Sequence, residues 1–319
     1  MTETKVVAFG GGHGLAATLR ALRMLPIDIT AIVTVADNGG SSGRLRKEFN
    51  SLPPGDLRMA LAALCADDEW GRSWADLMQY RFTSDGDLNG HAIGNLLLSA
   101  LWDREIDPVK GLEKVGELLK VVGRVLPMSN EPLDIEGTFR TWQGMQVVRG
   151  QKEVAIAKGS LEDLQLLPDS AMPTTEGIQA IADADWLIFG PGSWFSSVLP
   201  HFLLSSQREA IYKSTARKIL VLNLDANSNM SGDELAGTSP ADHLKVLRKF
   251  APQLTCDFAL ADHSITTSQG AFQELSAILK EMGGTLIVSD LATNPGSNQH
   301  DHEKLFSEFR NIIASEVIR

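Results

Sequence analysis

VVAFGGGHGLAATLRAL, residues 6–22, runs from a short apolar strand through a glycine turn straight into an amphipathic helix. The strand is read as Lys5–Phe9 and the helix from about Gly14, with Leu15, Leu19 and Leu22 on one face and Arg20 and Arg23 off it. Glycines at Gly10, Gly11, Gly12 and Gly14 allow positive φ and let a ligand come close to the backbone. The helix start adds unpaired N–H groups and the positive end of its dipole, the usual seat for a phosphate. Counted from Gly12, the spacing is G-x-G-x-x-A through Gly14 and Ala17, as in dinucleotide-binding turns; counted from Gly10 it fails at Leu15. The competing interpretation is a tight turn with no ligand. His13 sits inside the turn, either against a ligand or facing solvent.

Working outward, short β-branched runs alternate with helical patterns, which predicts an α/β fold: a doubly wound, mostly parallel Rossmann-like sheet. Ile29–Val35 reads as the second strand, and later strands fall at Trp186–Phe189, Ile219–Leu224, Asp257–Leu260 and Leu286–Ser289. A helix-rich stretch covers about residues 56–122; within it Asp107 and Pro108 mark a helix start. Between about residues 124 and 173 glycine-punctuated β-prone runs such as GTFRTWQGMQVVRG predict a β-rich insertion of antiparallel hairpins. Ser239-Pro240-Ala241-Asp242 is a further helix start. With no repeat or clear linker, the expectation is one α/β nucleotide-binding domain over residues 1–319 carrying that insertion.

Two more loops carry candidate chemistry. TVADNGGSSGRLR follows the second strand and places Asp37 where a nicotinamide enzyme would bind ribose hydroxyls. The stretch Asn38-Gly39-Gly40-Ser41-Ser42-Gly43 then extends beyond what a ribose needs, and suits phosphate or sugar oxygens; it could equally be a flexible connector. After Trp186–Phe189 come Gly190, Pro191, Gly192 and Ser193, with a helix from about Ser196, a second turn of the phosphate-binding kind. In PPGDLR, Asp56 reads as a helix cap and Arg58 as either exposed or ligand-binding. In GHAIGNLLLSAL, His91 and Asn95 lead an apolar helix, facing the site or buried. Loops after three strands would converge at one carboxyl edge, where doubly wound folds bind ligands.

Composition narrows the class. A net charge of −11 argues against a nucleic-acid backbone or an anionic membrane as partner. Cys65 and Cys256 stand apart, without metal or redox spacing, as reduced buried thiols would. The first residues enter a strand without a signal-peptide pattern, and no apolar run reaches the roughly 20 residues of a membrane span. A cytoplasmic protein without membrane insertion is expected. No Walker A lysine, G-x-S-x-G elbow or H-E-x-x-H motif is present, and His300 and His302 read as solvated. No nucleophile, metal site or cofactor is therefore expected, while a homo-oligomer is left open.

The segments FGGGHG, ITAIVTVADNGGSSGRLR, LPPGDLR, GHAIGNLLLSAL, GRVLPMSNE and FGPGSWFSSVLP, in this order over about residues 5–205, resemble the YvcK-type gluconeogenesis factors. Those are related to the 2-phospho-L-lactate transferases (CofD-like). The resemblance implies a role in cell shape and cell-wall growth on gluconeogenic carbon sources, and binding of a UDP-sugar such as UDP-N-acetylglucosamine without established catalysis. It carries ligand contacts onto Gly11, Gly12, His13, Gly14, Asp37, Gly190 and Ser193. The candidate set adds Asn38, Ser41, Ser42, Asn95, Pro191 and Gly192 from the loops themselves. Two departures stand out: Asn38 occupies the place of a second Asp, and Asp225–Gly237 lacks the expected glutamine–proline–glycine loop. The alternative is a transferase moving a phosphate-linked group from a nucleotide-activated donor; a nicotinamide oxidoreductase is weakened by the Asn38–Gly43 loop.

Overall fold

Seven strands assemble as a fully parallel sheet in a computed structural model that describes residues 3–105, 107–224 and 239–317. In chain order the strands are β1 Lys5–Gly10, β2 Asp28–Val33, β3 Arg124–Pro127, β4 Asp134–Thr141, β5 Gly144–Arg149, β6 Ser160–Leu167, β7 Trp186–Phe189, β8 Arg217–Val221, β9 Phe258–Asp262 and β10 Thr285–Ser289. The main sheet has the order β10-β9-β8-β7-β1-β2-β3. The chain winds outward from β1 through β2 and β3, then returns to the other side of β1 with β7 and continues outward. The order reverses between β1 and β7, the topological switch point where such sheets leave a crevice.

The central strands are buried along their length because helices flank the sheet, and their sequences are accordingly apolar without alternation. Phe9 of β1 stacks on Phe189 of β7 at 4.7 Å, and Phe189 meets Phe202 at 5.2 Å, so aromatic packing sits directly beneath the switch point. Helices Gly12–Leu22, Pro54–Leu64 and His302–Val317 pack as one group, and Thr175–Asp183 packs on Ser205–Lys213. No helix among the described residues is long and apolar enough to cross a membrane.

Local signals hold with small shifts. Asp107 caps the helix Pro108–Leu119 by accepting from the Val109 N–H, and Ser239 and Asp242 form a reciprocal capping box. Val122 lies outside its expected helix, which stops at Leu119 because Lys120 turns left-handed at φ 53°. Arg124–Pro127, which the sequence pattern places in the insertion, is β3 of the main sheet; a buried four-residue run carries no periodicity to distinguish the two. The antiparallel sheet begins at Asp134, with order β5-β4-β6. The Asp225–Gly237 loop lies outside the described residues.

Candidate functional site

The turn after β1 is shaped by what its glycines touch. Gly12 begins the helix at φ +61°; its N-cap Gly11 offers no side-chain cap, while the Asp56 carboxyl accepts from the Gly12 N–H. A Cβ on Gly14 would stand 2.1 Å from the Pro191 carbonyl oxygen, so the turns after β1 and β7 are in backbone contact across the switch point. A Cβ on Gly11 would stand 2.4 Å from Asp56 Oδ2 and 2.6 Å from Thr34 Oγ1. The turn is thus pressed against an acid from the helix Pro54–Leu64. His13 is exposed on the first turn of its helix.

The turn after β7 is held from three sides. Gly190 and Gly192 have φ +78° and +145°. Thr18 Oγ1 donates to the Gly190 carbonyl at 3.0 Å, while Gly192 exchanges two 2.9 Å hydrogen bonds with the Asn223 side chain beyond β8. Ser193 Oγ accepts from the Ser196 N–H at 3.1 Å and from the Ser196 hydroxyl at 2.6 Å. With both lone pairs engaged, the Ser193 hydroxyl proton is left to donate to something else. The helical turn here is Trp194–Val198, two residues earlier than the sequence suggests, because Ser193 rather than a later residue caps it.

The loop after β2 divides into two functions. Asp37 Oδ1 accepts from the Gly39 N–H at 2.8 Å, while a Cβ on Gly55 would lie 2.9 Å from Asp37 Oδ2 and 2.3 Å from Ser42 Oγ. Asp37 and Ser42 therefore converge on the residue next to Asp56. Asn38 instead spans outward: its Nδ2 donates to Glu153 at 2.9 Å and its Oδ1 accepts from the Lys152 N–H at 3.3 Å. Arg46 adds a 2.7 Å ion pair with Asp134 of β4, so this loop carries the antiparallel lobe. Ser41 is buried and tied to His91 Nδ1 at 3.0 Å and Asn95 Nδ2 at 2.9 Å.

Asp56 is the residue the sequence pattern misassigns. Its helix starts at Pro54 with Pro53 as cap, so Asp56 points from the first turn instead of capping it. Pro54 as first helical residue is the signal that would have placed it there. Its carboxyl accepts from Thr34 Oγ1 at 3.3 Å, and burial, followed by the nearby charge of Asp37, pushes it up to about 7. Arg58, read as either exposed or ligand-binding, is 3% exposed with no partner on Nε. Burial, then Arg81, pushes it down to about 10, with Asp56 and Asp37 opposing.

The result is a cradle of two glycine turns beside two carboxyls near enough that the charge of Asp37 raises Asp56. The second carboxyl comes from Asp56, across space, where the sequence offers Asn38 beside Asp37. Among the described residues no group of three or more His, Cys, Asp or Glu side chains is arranged to hold a metal ion. A divalent cation here would rest on Asp37 and Asp56 and complete its shell with ligand phosphate and water. Gly11, Gly12, Gly14, Asp37, Ser42, Gly190, Pro191, Gly192 and Ser193 come together at this edge; Asn38 joins the lobe, and Ser41 and Asn95 form a buried support. His300 is only partly exposed: its Nε2 lies 3.1 Å from the Leu222 carbonyl oxygen and burial pushes it down to about 4.

The fold is shared with known proteins. The family model for 2-phospho-L-lactate transferase CofD matches residues 6–290. A Mycobacterium tuberculosis relative is 42% identical over 316 residues, covering 98% of this chain and 91% of that one. The Gluconeogenesis factor of Listeria monocytogenes is 33% identical over 324 residues, covering 99% and 98%. The crystal structure of a UPF0052 family member from Bacillus halodurans superposes with a TM-score of 0.83 at 34% identity, covering 97% of this chain and 99% of that one. The chain belongs to the CofD family, alongside the bacterial gluconeogenesis factors.

Proposed function

We propose that this chain is a cytoplasmic regulatory protein that binds a UDP-sugar, such as UDP-N-acetylglucosamine, and serves as a gluconeogenesis factor supporting cell shape and cell-wall growth on gluconeogenic carbon sources. The observation that carries the ligand reading is the backbone contact between the two glycine turns, Gly14 against Pro191. It brings a helix start and a free Ser193 hydroxyl proton to one point, a fitting cradle for a diphosphate. The naming of relatives as gluconeogenesis factors supports the physiological part. Thermal shift with UDP-sugars, NAD, ATP and GTP tests it. A ligand at 100 times its dissociation constant adds about 2.7 kcal/mol, and UDP-sugars are expected to give the largest shift. An NAD shift of equal size rejects the reading.

A second reading has its own support. The neighbouring charges of Asp37 and Asp56 suit a cation-assisted transfer of a phosphate-linked group, in keeping with the family's description. Under the binder reading, UDP-sugar binding persists in EDTA and the ligand is recovered unchanged. Magnesium-dependent consumption of the ligand, lost in Asp37→Ala, would favour the transferase.

A further inference from the structure

The antiparallel lobe has two edges that are treated differently. On β6, the Leu161 carbonyl accepts from Lys249 Nζ at 3.0 Å, and the helix Pro200–Leu203 packs against the strand. On β5 the short helix Gln151–Ala155 packs against the strand, but among the described residues no side chain hydrogen-bonds the Met145, Val147 or Arg149 backbone. The Gly150 N–H donates to the Ile135 carbonyl at 2.8 Å, and the pairing runs from there through Gly137↔Val148, Phe139↔Gln146 and Thr141↔Gly144. Antiparallel pairs alternate between hydrogen-bonded and non-bonded. The backbones of Gly144, Gln146 and Val148 therefore face β4, and those of Met145, Val147 and Arg149 face outward with their N–H and C=O groups free.

Met145, Val147 and Trp142 on this edge are apolar and exposed. Met145 is 53% exposed, Val147 65%, and Trp142 at the hairpin turn 91%. Exposed edges are normally blunted by lysine, proline or a bulge, and Gly144–Arg149 has none of these. Its one charge, Arg149, is held by Asp134 at 2.6 Å. On a chain of net charge −11, this strip has no acidic residue and so sets no carboxylate against a second copy's.

We propose that two copies of this chain pair antiparallel through β5, about a two-fold axis at Gln146, forming one six-stranded antiparallel sheet. The register follows from the strand itself. A two-fold at Gln146 keeps like faces together and sets Met145 opposite Val147 of the second copy, apolar on apolar, twice. Those are also the residues with outward backbones, so the two pairs exchange four hydrogen bonds. Arg149 falls opposite Gln143 of the second copy, and no like charges are opposed.

Sedimentation velocity of the full chain across the micromolar range tests this, with Val147→Lys, Val147→Pro and Met145→Lys beside the wild type. The wild type should show a concentration-dependent monomer–dimer equilibrium. Each lysine variant, with unchanged circular dichroism and melting temperature, should weaken dimerisation at least about tenfold, and Leu118→Lys on another exposed apolar site should leave it unchanged. If Val147→Pro disturbs the strand, the two lysine variants decide. A wild type that stays monomeric throughout, or a dimer that both lysine variants leave intact, overturns the proposal.

Discussion

The two edges of the main sheet are built from the same strands and resolve their polar groups in opposite ways. At the amino edge Asp185, Asp257 and Lys218 all find partners. Asp185 accepts from the Lys5 N–H at 2.8 Å, and Asp257 accepts from the Lys218 N–H at 2.7 Å and Arg217 Nε at 3.4 Å. Lys218 Nζ, nearly buried, donates to the Ser214 and Ala216 carbonyls at 3.1 and 3.0 Å. At the carboxyl edge, Arg58 Nε and Asn95 Oδ1 are buried without partners, and Asp56 is raised to about 7. A buried group left unmatched costs stability, so a cluster of them marks an edge shaped for something other than holding the fold.

Asp56→Asn should sharpen this contrast most. Unfolded, the carboxyl titrates near its ordinary 3.8; folded, it titrates at about 7. Between those values the folded state holds a proton that the unfolded state releases, so this group's contribution to stability falls as pH rises from 4 to 7. Relative to its effect at pH 4, the substitution should raise unfolding free energy by roughly 2–4 kcal/mol at pH 8, read by urea denaturation at both values. An equal effect at both pH values would mean that Asp56 is not the strained group.

Gly14→Ala probes the same edge through its backbone. Its Cβ meets the Pro191 carbonyl and forces the two turns apart, a destabilisation of about 1–3 kcal/mol accompanied by loss of nucleotide-sugar binding. Asp257→Asn tests the opposite edge: a loss of about 1 kcal/mol, since the carboxyl is part-exposed, with binding unchanged. If that variant instead impairs binding, the two edges are not separate in role. Asn38→Ala should do least, about 0.5 kcal/mol from loosening the lobe at Glu153 while ligand affinity stays near wild type.

How much of this was legible in the sequence depends on whether the signal was local. Strand-to-turn-to-helix transitions, the Asp107 and Ser239 caps and the Trp142 hairpin are written in neighbouring residues, and the structure has them. The carboxyl pair is not, because Asp37 and Asp56 meet only when Gly55 seats its helix against Ser42. The same holds for Asn223, which secures Gly192 from the adjacent strand, and for Arg58, whose burial depends on two later helices. Asn38 was legible as a loop residue, but its partners lie 114 and 115 positions away. Short apolar runs such as Arg124–Pro127 show burial without showing which sheet receives them.

The central claim, that the carboxyl edge cradles the diphosphate of a nucleotide sugar, is tested most directly by titration calorimetry of UDP-N-acetylglucosamine into wild type and Gly12→Val side by side. Gly12 holds φ +61° and a Cβ there would meet Asp56 Oδ1 at 3.9 Å, so valine strains the backbone and obstructs the approach of phosphate while the core is untouched. The account predicts saturable binding to the wild type and none to a Gly12→Val protein whose circular dichroism is unchanged. Normal binding by that folded variant would contradict it.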